Sequence, residues 1–165
     1  MSIESQKYCF DTNCFIEPWN KFYSYTSHAS YWDDIILPEI QGGNIIILDE
    51  VYNELKQKDD DILAWLKKHK VKDNNVVETT VDHARHVQSL LDTYPRLTDS
   101  SRGRSVADPF LIAYAKENNI PIVTLEVASG TMGKPRIPDV CKKESVACMS
   151  LYDFVDRMGI SFAVK

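Results

Sequence analysis

Ile45–Leu48 is an unbroken apolar run, Ile-Ile-Ile-Leu, set off by Gly42 and Gly43 before it and by Asp49 and Glu50 after it. A strand apolar on both faces is buried on both faces, and such strands belong to parallel sheets covered by helices. Segments 8–11, 122–125 and 146–149 read as further strands. Helical patterns separate them. One covers residues 31–40 and stops at the glycine pair. The next opens with Asp49 as its N-cap and holds Val51, Glu54 and Leu55. Ile62, Trp65, Leu66 and His69 follow at the i, i+3, i+4, i+7 spacing of an amphipathic helix. Val81, Ala84, Val87 and Leu91 mark another, ending before Pro95, and the stretch from Phe110 to Ala115 is apolar nearly all round, so its helix should be buried. A closing helix is expected over 151–158. Strands alternating with helices define an α/β sheet with right-handed crossovers.

A chain of 165 residues is expected to form one domain, residues 1–165. Its 44% hydrophobic and 26% charged residues are ordinary for a globular protein. No apolar run approaches the ~20 residues of a membrane helix, and MSIESQKYCF lacks the basic and apolar stretches of a secretion signal. A cytoplasmic location with no membrane partner is the expectation. Cys9, Cys14, Cys141 and Cys148 show neither CxxC pairing nor zinc spacing, so reduced and mostly buried thiols are expected. The net charge of -5 argues against nonspecific nucleic-acid binding. It leaves room for local basic patches: Arg96, Arg102 and Arg104 in one loop, and Lys134, Arg136, Lys142 and Lys143 in another.

Four acids far apart in sequence stand where predicted elements begin or end: Asp11, Glu54, Asp108 and Glu126. Ligands of an open parallel sheet gather beyond the carboxyl ends of its strands. Each acid has a plainer explanation. Asp11 before Thr12 and Asn13 suits an Asx-turn, and Asp108 before Pro109 suits a helix N-cap. Glu54 lies i, i+4 from Glu50 and Lys58, as a surface residue would, and Glu126 fits a solvated loop. Jointly they suggest more. Carboxylates held ~4 Å apart repel by roughly 4 kcal/mol at an effective dielectric near 20, a cost that a bound cation offsets. Hard oxygen donors suit Mg²⁺ or Mn²⁺, one ion or two, and chemistry on phosphates.

The order FDTNCFI, then Glu54-Leu55, then ADPFLIAYA, then VTLE resembles the PIN-domain nuclease family, and most of all the PIN-like toxins of prokaryotic toxin–antitoxin pairs. The tail KPRIPDVCKKESVACMSLYDFVDRMGI is similar to that subgroup's closing segment. The resemblance implies a three-layer α/β/α sandwich with a mainly parallel sheet and Mg²⁺- or Mn²⁺-dependent hydrolysis of RNA. It also implies a cognate antitoxin and a homodimer. By the same resemblance Asp11, Glu54, Asp108 and Glu126 are the metal-binding and catalytic acids, with Glu50 a possible substitute for Glu54. Asn13 and Thr124 match polar positions beside them. Glu126 stands where the family commonly has Asp, and Ser105 where a further acid is expected. Lys134 and Arg136 are placed to contact phosphate, or are simply loop cations. An inactive scaffold binding RNA or a protein, and a nuclease with an RNA-processing role, are the alternatives. A phosphoacceptor receiver domain would want adjacent acids after its first strand, where Thr12 and Asn13 stand instead.

Two other features invite explanation. His83 and His86 at i, i+3 could chelate a metal, but beside Asp82 and Arg85 they read as polar-face residues. The segment from Phe15 to Trp32 holds seven of the chain's seventeen aromatic residues. It suits a core or a protein interface better than a platform for stacked bases.

Overall fold

A computed structural model describes residues 6–98 and 105–163. Arg102, Arg104 and most of the loop expected around them lie outside the described residues. The strands β1 (Tyr8–Phe10), β2 (Ile45–Leu48), β3 (Val76–Val77), β4 (Ile122–Thr124) and β5 (Cys148–Ser150) form one sheet in the order β3-β2-β1-β4-β5. Every neighbouring pair is parallel, with Cys9 opposite both Ile46 and Ile122. All four residues of β2 are buried, as their uniform apolarity requires.

Helices fill the connections: α1 (Asn13–Glu17), α2 (Tyr25–Ser30), α3 (Leu37–Gln41), α4 (Asp49–Lys58), α5 (Asp60–Lys68) and α6 (Val71–Asn75) in the first half. Next come α7 (Val81–Thr93), α8 (Asp108–Asn118), α9 (Ile137–Glu144) and α10 (Leu151–Arg157). The side-chain alternation of β1 faces two helical layers. Tyr8 and Phe10 meet Phe154 of α10 edge-on, at 5.1 and 4.9 Å between ring centroids. Cys9, on the opposite face, lies near Tyr114 of α8. The expected three-layer α/β/α sandwich is the fold observed.

The aromatic segment packs inward. Phe15, Tyr31 and Trp32 are fully buried, and the Trp32 indole N–H donates to the Tyr23 carbonyl at 2.6 Å. Two π-helical turns, Pro18–Phe22 and Tyr31–Ile36, bend this stretch over the sheet. Gly43, at φ +76°, makes the left-handed turn that ends α3 and aims the chain into β2.

Several expectations need correcting. Asp49 is the first residue of α4 and makes no cap, Leu48 being the N-cap; its carboxylate takes a hydrogen bond from Lys72 instead. The buried stripe of α7 is His83, Val87 and Leu90, while Val81 is 72% exposed. Packing of α7 on α8 sets that rotation. It brings His83 to 6.0 Å from Phe110 and 5.8 Å from Tyr114, so His83 is not a polar-face residue. Lys142 and Lys143 sit in the last turn of α9 rather than in a loop. The fifth strand begins at Cys148 because Val146 is still closing α9, its N–H donating to the Cys141 carbonyl at 2.9 Å. All four cysteines are free, three of them buried. Among the described residues no helix is long and apolar enough to cross a membrane.

Asp59 caps α5, its carboxylate accepting from the N–H groups of Asp61 and Ile62. Asp59→Ala is expected to lower stability by ~1 kcal/mol, the usual worth of such a cap, read as a lower urea midpoint with an unchanged slope.

Candidate active site

The chain leaves β1 toward β2 on one side and reaches β4 on the other, so the crevice at the carboxyl ends of β1 and β4 is the switch point of the sheet. All four candidate acids arrive there. Asp11 directly follows β1, Glu54 lies in α4 after β2, Asp108 opens α8, and Glu126 follows β4 by two residues. Together with Thr12, Asn13, Glu17, Lys58, Ser105 and Arg136 they line a cavity of about 520 Å³, a size that suits a small ligand or part of a polymer.

Asp11 is buried and fixed at both oxygens. The Thr12 N–H donates to Oδ1 at 2.7 Å and the Thr124 hydroxyl to Oδ2 at 2.8 Å. The same Thr124 hydroxyl accepts from the Glu126 N–H at 3.0 Å. Asn13 works on the backbone, its Oδ1 accepting from the Leu125 N–H at 3.1 Å. Both polar positions suggested by the sequence therefore hold β1 and β4 in register at the crevice.

Glu54 is buried and heavily engaged. Thr12 Oγ1 donates to Oε2 at 2.7 Å, the Ala107 N–H donates to Oε1 at 3.1 Å, and the Ser105 hydroxyl also donates to Oε1. Lys58, one turn on, brings its ammonium to 4.0 Å from Oε2. Glu50 turns away, accepting from the Thr79 hydroxyl, and does not line the cavity. Glu54 is thus no solvated surface residue, and Ser105 serves to hold it.

Asp108 does not cap its helix. It is the first residue of α8, Ala107 is the N-cap, and no side-chain cap bond forms. Its Oδ1 is buried with no hydrogen-bond partner. The N-terminal end of α8 favours a negative charge there, yet burial, reinforced by Asp11 and then Glu126, pushes its carboxyl well above the usual range. Asp11 rises to about 7, from burial first and the Glu126 charge second. These carboxylates crowd one another in a site without enough positive charge.

Glu126 is half-buried, and its Oε2 accepts from the Ile137 N–H at the start of α9 at 3.0 Å. Among the described residues no three carboxylate, imidazole or thiol groups are arranged as a ready set of metal ligands. The hydrogen bonds account for this: oxygens of Asp11, Glu54 and Glu126 are already held by protein donors, whereas Asp108 keeps a bare oxygen. Mg²⁺ needs only one or two carboxylates, with water and substrate phosphate completing its shell, so the donors present fit such an ion.

Arg136 reaches the cavity and Lys134 does not. Thr12, Lys58 and Glu17 went unrecognised in the sequence. Lys58 carried a usable signal, since i+4 from Glu54 on a helix places it on the same face. His83 and His86 stand elsewhere, both against Glu117, at 3.5 and 3.2 Å.

A parallel α/β domain with an acid-lined crevice at the sheet's switch point is the class that fold and site define. The chain belongs to the family described as Domain of unknown function (DUF4411), which it matches over residues 8–162. No curated protein matches it. Among solved structures it is similar to a chain in the structure of FitAB bound to an IR36 DNA fragment, with a TM-score of 0.50 and 15% identity. That likeness covers 87% of this chain and 94% of the other, and at this identity it speaks to the fold alone.

Proposed function

We propose that this chain is a divalent-metal-dependent endoribonuclease, the toxin of a toxin–antitoxin pair. The observation that carries the reading is the bare, buried Oδ1 of Asp108 beside a second buried carboxylate, Asp11, whose ionisation is resisted. A cation relieves that repulsion, and the sequence motifs described above supply the reaction class. A cognate antitoxin partner follows from the same sequence resemblance. A homodimer belongs to the same reading.

In this mechanism Asp11 and Asp108 would hold Mg²⁺ or Mn²⁺, and Glu54 and Glu126 would complete the metal-binding, catalytic acid set from the flanks. Such an ion, when bound, lowers the pKa of a water and offsets charge developing on the phosphate. The other residues position and bind. Thr124 and the Thr12 N–H aim Asp11, while Thr12 Oγ1, Ser105 and the Ala107 N–H keep Glu54 in place. Arg136 and Lys58 supply the positive charge on the cavity wall that holds an RNA phosphate. Lys134, exposed and outside the cavity, serves at most the flanking backbone.

A second reading, a scaffold that binds RNA or a protein without cleaving, draws on the engagement of Glu54 and Glu126 by protein donors. Incubating the protein with mixed-sequence single-stranded RNA or DNA in Mg²⁺, Mn²⁺ or EDTA separates the two. Cleavage of RNA in metal and none in EDTA is expected. Binding without cleavage in any metal favours the scaffold, and cleavage of DNA alone would reassign the substrate. Arg136→Ala is expected to raise KM for RNA roughly tenfold while kcat changes little, since a phosphate contact made in ground and transition states alike acts on binding.

A further inference from the structure

The four thiols of this chain fall into two kinds. Cys9 and Cys14 are sealed in the core; burial lifts Cys9 to about 12 and raises Cys14 as well. Buried apolar surroundings make such thiols inert. Cys141 and Cys148 are different. Only residues 145–147 separate α9 from β5, and the bond from the Val146 N–H to the Cys141 carbonyl folds the chain back on itself. The two side chains consequently lie next to each other and line one cavity with Thr124, Glu126 and Pro138.

Their exposures are complementary. Cys141 is 1% exposed and Cys148 half-buried at the cavity wall, so Cys148 is the more accessible of the two. The neighbouring Cys141 side chain draws the Cys148 thiol below its ordinary value, against burial and the charges of Asp11 and Glu126. A partly exposed thiol beside a second, buried thiol is the arrangement of a redox-responsive pair.

We propose that Cys141 and Cys148 form an oxidisable dithiol whose disulfide fastens α9 to β5 beside the acidic cavity. With hydrogen peroxide as oxidant, the Cys148 sulfur attacks one peroxide oxygen, the O–O bond breaks, the thiol proton leaves with the departing hydroxide as water, and a sulfenic acid results. The Cys141 thiol then attacks that sulfur, its proton leaves with the hydroxyl as a second water, and the S–S bond forms. Two thiols are oxidised and one peroxide is reduced. The disulfide draws the middle of α9 toward β5, and the first N–H of that helix, at Ile137, holds Glu126. Oxidation thereby shifts Glu126, a consequence that rests on the function proposed above.

The test treats the full chain with hydrogen peroxide, blocks the remaining thiols and digests with trypsin. Lys142 and Lys143 lie between the two cysteines, so their peptides separate unless a disulfide joins them. The expected result is a linked pair of peptides containing Cys141 and Cys148, dissolved by dithiothreitol, with Cys9 and Cys14 still reduced. In Cys141→Ser, Cys148 should instead gain one oxygen that dimedone traps; Cys148→Ser should give neither product. Peptides that stay separate, or a disulfide using Cys9 or Cys14, overturn the dithiol whatever the enzymatic activity. Metal-dependent RNA cleavage should fall roughly tenfold or more on oxidation, as small displacements in an active site do, and recover with dithiothreitol. Linked peptides with unchanged cleavage would overturn the coupling to Glu126 and leave the dithiol standing.

Discussion

Asp108→Asn is expected to reduce metal-dependent RNA cleavage by roughly 10²–10³-fold, the scale of losing one preorganised charged group at a reacting centre. The substitution keeps the shape of the side chain and removes its charge. Since Asp108 makes no cap bond and its Oδ1 has no partner, nothing in the fold depends on that oxygen. Loss of activity should therefore come without loss of structure, and circular dichroism beside the cleavage assay checks this. Glu54→Gln is the contrasting case. Glu54 accepts from Thr12, Ser105 and Ala107, so exchanging one oxygen for an NH₂ sets donors against donors and should cost stability as well as activity. An Asp108→Asn protein that cleaves like the wild type would remove this carboxylate from the chemistry.

The second large effect lies in stability against pH, measured in EDTA. Asp11 has its folded-state pKa raised from 3.8 to about 7, and Asp108 moves in the same direction. A carboxyl with a raised folded pKa binds its proton more tightly in the native state than in the unfolded chain. Stability therefore falls as pH rises between the unfolded value near 4 and the folded value near 7, and the penalty is complete above that. Asp33, Asp139 and Glu144 are held below their ordinary values, so their contributions are lost only in more acidic solution and leave this window clear. Asp11→Asn gives up one of the hydrogen bonds accepted from Thr12 and Thr124, worth ~1 kcal/mol, but sheds the larger charge penalty of ~1.4 kcal/mol per pKa unit. It should then be more stable than wild type at pH 8 by on the order of 2–4 kcal/mol. At pH 5 the advantage should shrink greatly. Urea denaturation at the two pH values reads both numbers. Greater stability of the wild-type protein at pH 8 would mean that Asp11 is not under electrostatic strain.

Much of this architecture is legible in the sequence because burial on both faces leaves a plain mark. Ile45–Leu48 and 122–124 could hardly be anything but central strands. β3 leaves no mark because two valines carry no periodicity, and Pro135 and Pro138 make the start of α9 look like a loop. Val81 and Ala84 continue the apolar stripe of α7 and suggest another rotation, whereas contact with Phe110 and Tyr114 selects His83. At the site, the four acids could be found from their places at element ends. Their division of labour could not. That Glu54 and Glu126 are tied to protein donors while Asp108 keeps a bare oxygen depends on Ser105, Ala107 and Ile137, none adjacent in sequence to the acid it serves.

Calorimetric titration of Mn²⁺ into the wild-type chain and into an Asp11→Asn/Asp108→Asn double variant, at pH 8, tests the cation site without reference to any substrate. Saturable binding by the wild type that disappears in the double variant is the predicted result. Equal binding by both proteins, or none by either, would contradict a metal site built on these two carboxylates.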